Sequence, residues 1–408
     1  MSRGISLYLH VHQPERVRPY TVFDIGEQHN YFDQFDDSNL NNEKIFHKVA
    51  DKSYRPMTTL LQKLLDQHPD FHLSLSISGD FIDQAERYAP DVLESFKRLV
   101  ATGRVELVGE TYYHSLAFFY SRHEFEAQVN LHAQKLHQLF GVKPTAFRNT
   151  ELAYNDELAN WADGAGYKVI LAEGWDEVLQ WRSPNYVYRP PNTQQIKLLL
   201  KNYRLSDDIA FRFGNRAWTE WPLTSAKYVD WVSTSMTDGH LVNLFMDFET
   251  FGEHQWADTD IFGFFERFVG DWLGTDGNTF YTVSGAADAF DSAGEVSMPQ
   301  TVTWADSERD LSAWTGNSMQ QEAAKYLYML ENDVIRSRDE DLIRDWRYLQ
   351  SSDHLYYMAT KWLSDGDVHT YFSPYESPYD AFLYYMNAIR DVRWRVMQHH
   401  QLGGIYHG

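Results

Sequence analysis

Residues 241–256 read LVNLFMDFETFGEHQW. Leu241–Met246 is apolar except for Asn243 and runs directly into Asp247-Phe248-Glu249, with Gly252 and His254 close behind. A near-continuous apolar run that ends in carboxylates predicts a parallel strand buried on both faces, with polar groups where it emerges. In a barrel of such strands the reactive groups sit on the loops after the C-terminal strand ends. TAFRNTELAY, from Thr145, has the same shape: a short strand that delivers Glu151. We therefore expect Glu151 and Asp247 to face each other across one cleft.

The same rhythm runs outward from these two stretches. Strands are predicted at Ile5–Val11, Phe71–Ser78, Val105–Val108, Thr145–Asn149, Tyr167–Ala172, Ile196–Lys201 and Leu241–Asp247. Helical periodicity falls between them at Pro56–His68, Asp80–Thr102, Ser121–Phe140, which Gly141 closes, and Asn155–Gly164. Strands alternating with helices predict an α/β fold built on a parallel seven-stranded (β/α) barrel over residues 1–291. The polar segment Arg16–Tyr54 reads as a long loop over the cleft. From Ser292 strand signals fade, and helices are predicted at Ser318–Arg336, Asp339–Lys361 and Pro378–Gln398. These form a C-terminal helical bundle over 292–408, packed on the barrel because no flexible linker separates the two.

Composition narrows the partners. The chain of 408 residues carries a net charge of −22, so neither nucleic acid nor an anionic membrane surface suits it. A neutral ligand does, and the 13 Trp, 26 Tyr and 25 Phe supply flat faces of the kind that sugar rings cover. There is no cysteine, which removes disulfides, thiol catalysis and thiolate metal sites. MSRGISLYLHVHQP enters a strand at once without a signal-peptide core, and no apolar run approaches the ~20 residues of a membrane span. The expectation is a soluble, cytoplasmic protein.

Two carboxylates at separate strand ends suit cleavage of a glycosidic bond. One attacks the anomeric carbon; the other protonates the leaving oxygen and then activates water. Taken singly, Glu151 reads as a carboxylate favoured at a helix start and Asp247 as an N-cap. Their shared setting, with aromatic and histidine neighbours, favours chemistry. Where such a pair retains configuration, the carboxyls stand about 5–5.5 Å apart, and one keeps its proton near neutrality through burial and the other's charge. Arg148, three residues before Glu151, or a nearby histidine can hold that carboxylate ionised, and a surface arginine is the other reading of Arg148.

HVHQP at 10–14, GETYYHSL at 109–116, FRNTELAYND at 147–156 and MDFETFGEHQW at 246–256 resemble, in order, the signature segments of glycoside hydrolase family 57. ERDLSAWTGNSMQ at 308–320 and SSDHLYYMATKW at 351–362 resemble its amylase-type branch. The resemblance implies a barrel of seven βα units with a C-terminal helical bundle. It also implies double displacement on an α-glucan or maltooligosaccharide, by hydrolysis, branching or glucanotransfer, with Glu151 as nucleophile and Asp247 as general acid/base. It implies no catalytic metal and no cofactor. His12 and His114 then become hydrogen-bond partners for the sugar beside the cleavage point, with His10 behind His12 on one strand face. Trp175 is a candidate stacking platform. Trp304, Trp314, Asp353 and His354 are candidates for a wall that the helical region adds, with a structural salt link the equal reading of Asp353 and His354, and Glu249 and Glu253 read as orienting or structural rather than catalytic.

Two other readings compete. His10, His12, His114 and Asp247 can be drawn as the zinc site of a metal-dependent hydrolase or deacetylase, although no H-E-x-x-H or comparable spacing supports it. The scaffold can also serve as a glucan-binding protein without turnover.

Overall fold

β1 (Arg3–Val11) leaves only its first residue exposed, and it organises the parallel sheet of the first of two units. The structure is a computed structural model that describes residues 3–32, 39–361 and 372–405, with side chains to 399. The first unit comprises Met1–His12, Phe46–Glu110 and Val129–Trp304; the second comprises Gln13–Ile45, Thr111–Gln128 and Ala305–Gly408.

In the first unit, β2 (Leu73–Ile77), β3 (Val105–Leu107) and β8 (Leu241–Asp247) extend the sheet in the order β3-β2-β1-β8, all parallel. β9 (Asn278–Tyr281) pairs with the first half of β1 and β2 with the second half. β4 (Ala146–Phe147), β5 (Val169–Glu173) and β7 (Lys197–Lys201) form a second parallel run, which β6 (Val187–Tyr188) ends antiparallel to β7. Beyond β3, Gly109 pairs with Phe147 of β4. Beyond β7, the Asn202 N–H donates to the Asn243 carbonyl at 2.9 Å, and the Asn243 amide donates to Leu200 O at 2.9 Å. The fold is α/β, a curled parallel sheet with helices around it.

Register decides what faces inward. Tyr8, Val108, Ala146, Leu171, Leu199 and Phe245 all belong to one buried cluster. Side chains alternate along a strand, so two residues further on each strand points the same way. Those next positions are His10, Glu110, Arg148, Glu173, Lys201 and Asp247. His10 is the register partner of Asp247, and Glu173 that of Lys201. One apolar layer is thus followed, toward the C-terminal strand ends, by one layer of charged and imidazole groups.

Several elements differ from the expectation. The helix expected over Asp80–Thr102 is two, Gly79–Tyr88 and Pro90–Ala101, because Pro90 lacks an N–H and forces Ala89 out of helical geometry. The end of the 16–54 loop is helical from Asn42 to Val49, where Phe46 and Val49 are buried; residues 33–38 lie outside the described residues. After β8 the chain adds a helix at Ile261–Leu273, β9 and a helix at Val283–Ala289, where no element was expected.

The second unit is mainly helical. Ser318–Met329, Glu331–Ser337, Glu340–Tyr348, Ser352–Tyr356 and Pro378–Ile405 surround an apolar cluster that includes Trp314, Trp346 and Tyr385. The expected helix Asp339–Lys361 is interrupted where Ser351 makes an antiparallel bridge to Ser115. Among the described residues, no helix is long and apolar enough to cross a membrane.

Candidate active site

Asp247 is the last residue of β8, and its carboxyl is 41% exposed. His10 Nδ1 lies 3.6 Å from Asp247 Oδ1, and His10 Nε2 lies 3.2 Å from Glu110 Oε2. Arg148 Nη1 approaches both Glu110 Oε2 and His10 Nε2 at 3.5 Å. Arg148 and Glu110 are both fully buried, so each meets the other in place of water. The Glu110 N–H donates to His132 Nδ1 at 3.3 Å, and the other ring nitrogen of His132 meets Ile77 O at 2.8 Å. Burial, only partly offset by the Glu110 charge, keeps His132 below the usual histidine range.

Glu151 is reached differently. β4 is two residues long, and after it Glu151 and Leu152 take left-handed backbone conformations, φ 59° and 51°. Such geometry costs a non-glycine residue about 1–2 kcal/mol, and it concentrates at functional positions. Val302 and Tyr154 exchange backbone hydrogen bonds at 2.9 Å, which brings Trp304 alongside. The Trp304 indole N–H then donates to Glu151 Oε2 at 2.9 Å. The Arg148 guanidinium and the Lys201 ammonium lie 5.3 and 5.6 Å from the Trp304 ring centre, and His10 meets the same ring edge-on at 6.5 Å. Lys201 is held by Asp207 at 3.2 Å and Glu173 at 3.6 Å.

The protonation pattern departs from the expectation. Removal from water pushes the Asp247 carboxyl up, but His10, then His254 and Arg148, pull it further down, and it ends below the ordinary range. The raised carboxyl is Glu249: burial and then the Asp247 charge push it up to about 8, against the opposing hydrogen bonds from Tyr54 and His12. Glu249 Oε1 accepts from the Tyr54 hydroxyl at 2.7 Å and from the His12 N–H at 3.2 Å.

Other expected residues fall into two groups. In the first unit, His12 stacks on His10 at 5.7 Å and its Nδ1 lies 2.7 Å from Ser78 Oγ. Half-buried Trp175 begins the short helix Asp176–Leu179 just after Gly174, where a Cβ would meet Lys201 O at 2.3 Å. Glu253 pairs with Lys48 and Lys52 at 3.4 and 3.2 Å. In the second unit, His114 (φ 48°) accepts from the Ser352 N–H at 2.9 Å, and the Ser351 hydroxyl donates to Asp353 at 2.7 Å. Trp314 is 1% exposed within the helical core, 6.0 Å from Tyr356. His354 is equally buried, with Nε2 3.1 Å from Tyr348 O, and burial lowers it to about 4. Trp362 lies outside the described residues. The sequence reading passed over Glu110, Glu173 and Lys201; each stands at or just past a strand end, the signal that picked out Asp247.

Comparison with known proteins adds a family. The sequence model described as Glycosyl hydrolase family 57 matches residues 6–299. A protein of Methanocaldococcus jannaschii, provisionally named an alpha-amylase, is 39% identical over 97% of this chain and 85% of its own length. A family 57 type branching enzyme from Pyrococcus horikoshii superposes with TM-score 0.69 at 16% identity, covering 91% of this chain and 87% of that one. The 4-alpha-glucanotransferase of Thermococcus litoralis gives 0.65 at 15% identity over 87% of this chain, which spans 56% of that enzyme. The structural likenesses bear on the fold alone. The family match and the identity along nearly the whole sequence carry the assignment: this chain belongs to glycosyl hydrolase family 57 and is a glycoside hydrolase.

Proposed function

We propose that the chain is a retaining, α-glucan-active hydrolase of the α-amylase type, with Glu151 as nucleophile and Asp247 as general acid/base. The observation that carries this reading is one polar layer joining the two carboxylates, in which Trp304 holds Glu151, His10 approaches both Trp304 and Asp247, and Arg148 lies beside both rings. We read the curled parallel sheet as a seven-stranded barrel of β1–β5, β7 and β8, with residues 1–291 as the catalytic domain and 292–408 as a C-terminal helical bundle. A cytoplasmic location belongs to the same proposal.

In the first step Glu151 attacks the anomeric carbon while Asp247 gives its proton to the leaving oxygen, leaving a glycosyl ester on Glu151. In the second, Asp247 takes a proton from water, whose oxygen displaces Glu151. Asp247 must carry a proton when cleavage begins. A sugar in the cleft removes the water that now reaches this carboxyl, and that raises its affinity for a proton. His12 and Trp175 are proposed sugar contacts in this unit.

If another sugar hydroxyl replaces water, the same chemistry gives transfer, the activity in the names of the branching and glucanotransferase relatives. Chromatography of products from maltooligosaccharides and starch separates the two: shorter sugars alone mean hydrolysis, longer or branched ones transfer. Wild type that binds glucan with no turnover defeats the enzyme reading. Activity lost on chelation and restored by a divalent metal defeats the carboxylate pair.

A further inference from the structure

We propose that Glu110 and His10 form a positioning pair for Asp247, the imidazole being held between two carboxylates so that it offsets the charge Asp247 gains on releasing its proton. This rests on the reading of Asp247 as the acid/base.

Three observations carry it. First, His10 and Asp247 are register partners on neighbouring parallel strands, so their side chains leave the sheet on one face at one level. Second, the two imidazole nitrogens face different carboxylates, Glu110 at 3.2 Å and Asp247 at 3.6 Å. A small movement converts the longer approach into a hydrogen bond donated by Nδ1. Third, Glu110 is wholly buried whereas Asp247 is 41% exposed, so Glu110 is seated to act through the imidazole while Asp247 meets the ligand. His132 fixes the Glu110 backbone from behind, at 3.3 Å.

Other groups face the same pair. Arg148 approaches His10 and Glu110 at 3.5 Å, His12 stacks on His10, and the Trp304 ring meets it edge-on. Asp247 also feels His254, Arg148 and Glu249, as well as the Tyr8 phenol one layer below. Arg148 lies against Glu110 and the face of Trp304, while His10 sets a ring nitrogen 3.6 Å from Asp247.

The test is the pH profile of kcat/KM on a maltooligosaccharide, whose alkaline limb reports the proton on the acid. His10→Gln, which keeps an N–H near Glu110 but removes the one facing Asp247, is expected to move that limb up by about 0.5–1 pH unit. His10→Asn keeps a neutral donor at the Nδ1 place and is expected to move it less. Glu110→Gln is expected to shift the limb in the wild-type background and to add nothing to His10→Gln, the mark of one acting through the other. A limb that stays put in both folded His10 variants, or shifts that simply add, overturns the pair. The control is Asp247→Ala on an aryl α-glucoside with a good leaving group, where the limb should vanish. If it persists there, the Asp247 assignment falls and takes this proposal with it.

Discussion

Asp247 and Glu151 reach the same polar layer by opposite means. Asp247 is carried by seven residues of buried strand, and its direction follows from register with β1. Glu151 follows a strand of two residues, turned by two left-handed backbone positions and held by an indole from 153 residues downstream. Asp247 is surrounded by His10, His254 and Arg148, whereas the Glu151 carboxyl accepts from the neutral Trp304 indole. On the proposed roles, the acid/base stands among titratable neighbours, and the nucleophile is met by a rigid indole. The comparison teaches that one layer can set proton affinity at one strand end and orientation at the other.

The sharpest way to break this contrast is to remove each carboxyl in turn. Glu151→Ala and Asp247→Ala should each lower turnover of maltooligosaccharides by at least ~10³-fold. On an aryl α-glucoside that leaves without a proton, Asp247→Ala should still form the glycosyl ester, and azide should speed its release with retention. Glu151→Ala should form no ester, and azide should give the inverted product. Identical rescue in the two variants, read by product stereochemistry, would erase the distinction between the two roles.

A milder cut goes through the indole. Trp304→Phe keeps an aromatic face for Arg148 and Lys201 but removes the N–H that meets Glu151. A hydrogen bond to a charged acceptor contributes about 1.5–3 kcal/mol, so kcat should drop about 10–100-fold. The alkaline limb of the pH profile should not move, because the proton on Asp247 is set elsewhere. A fall in kcat with a displaced limb would mean that the two strand ends are not separable.

The contrast also explains what the sequence could and could not convey. Asp247 was legible because six residues, apolar except for Asn243, announce a buried strand, and alternation then fixes which way its end points. The same logic applied to KLLLK and VILAE would have named Lys201 and Glu173, both strand-terminal charges. Trp304 was legible only as an aromatic near the helical region; its bond to Glu151 depends on pairing between residues 154 and 302, which no local period encodes. Trp314 and His354 sit in segments as suggestive as HVHQP, yet helical packing buries both within the second unit's core. The break at Pro90 was written in the chain and overridden by the apolar periodicity on either side of it.

The smallest effect concerns Glu249, two residues past Asp247 and buried where Asp247 is open. Burial and the Asp247 charge raise its folded-state pKa to about 8 from an ordinary 4.5. Between those values the folded chain binds a proton at Glu249 that the unfolded chain has released, so the Glu249 contribution to the unfolding free energy falls as pH rises from about 5 to 8. One proton limits the slope to about 1.4 kcal/mol per pH unit. Asp247 has the opposite sign: its lowered carboxyl stabilises the fold above the ordinary aspartate range, and that contribution is lost only as pH falls below it. Glu249→Gln keeps an acceptor for the Tyr54 hydroxyl and the His12 N–H while removing the proton equilibrium. Urea unfolding at pH 5, 6.5 and 8 should therefore show the variant flatter than wild type and more stable at pH 8. Parallel pH slopes would mean that Glu249 is ionised in the folded chain, and Asp247 would then stand beside a second negative charge instead of a neutral acid.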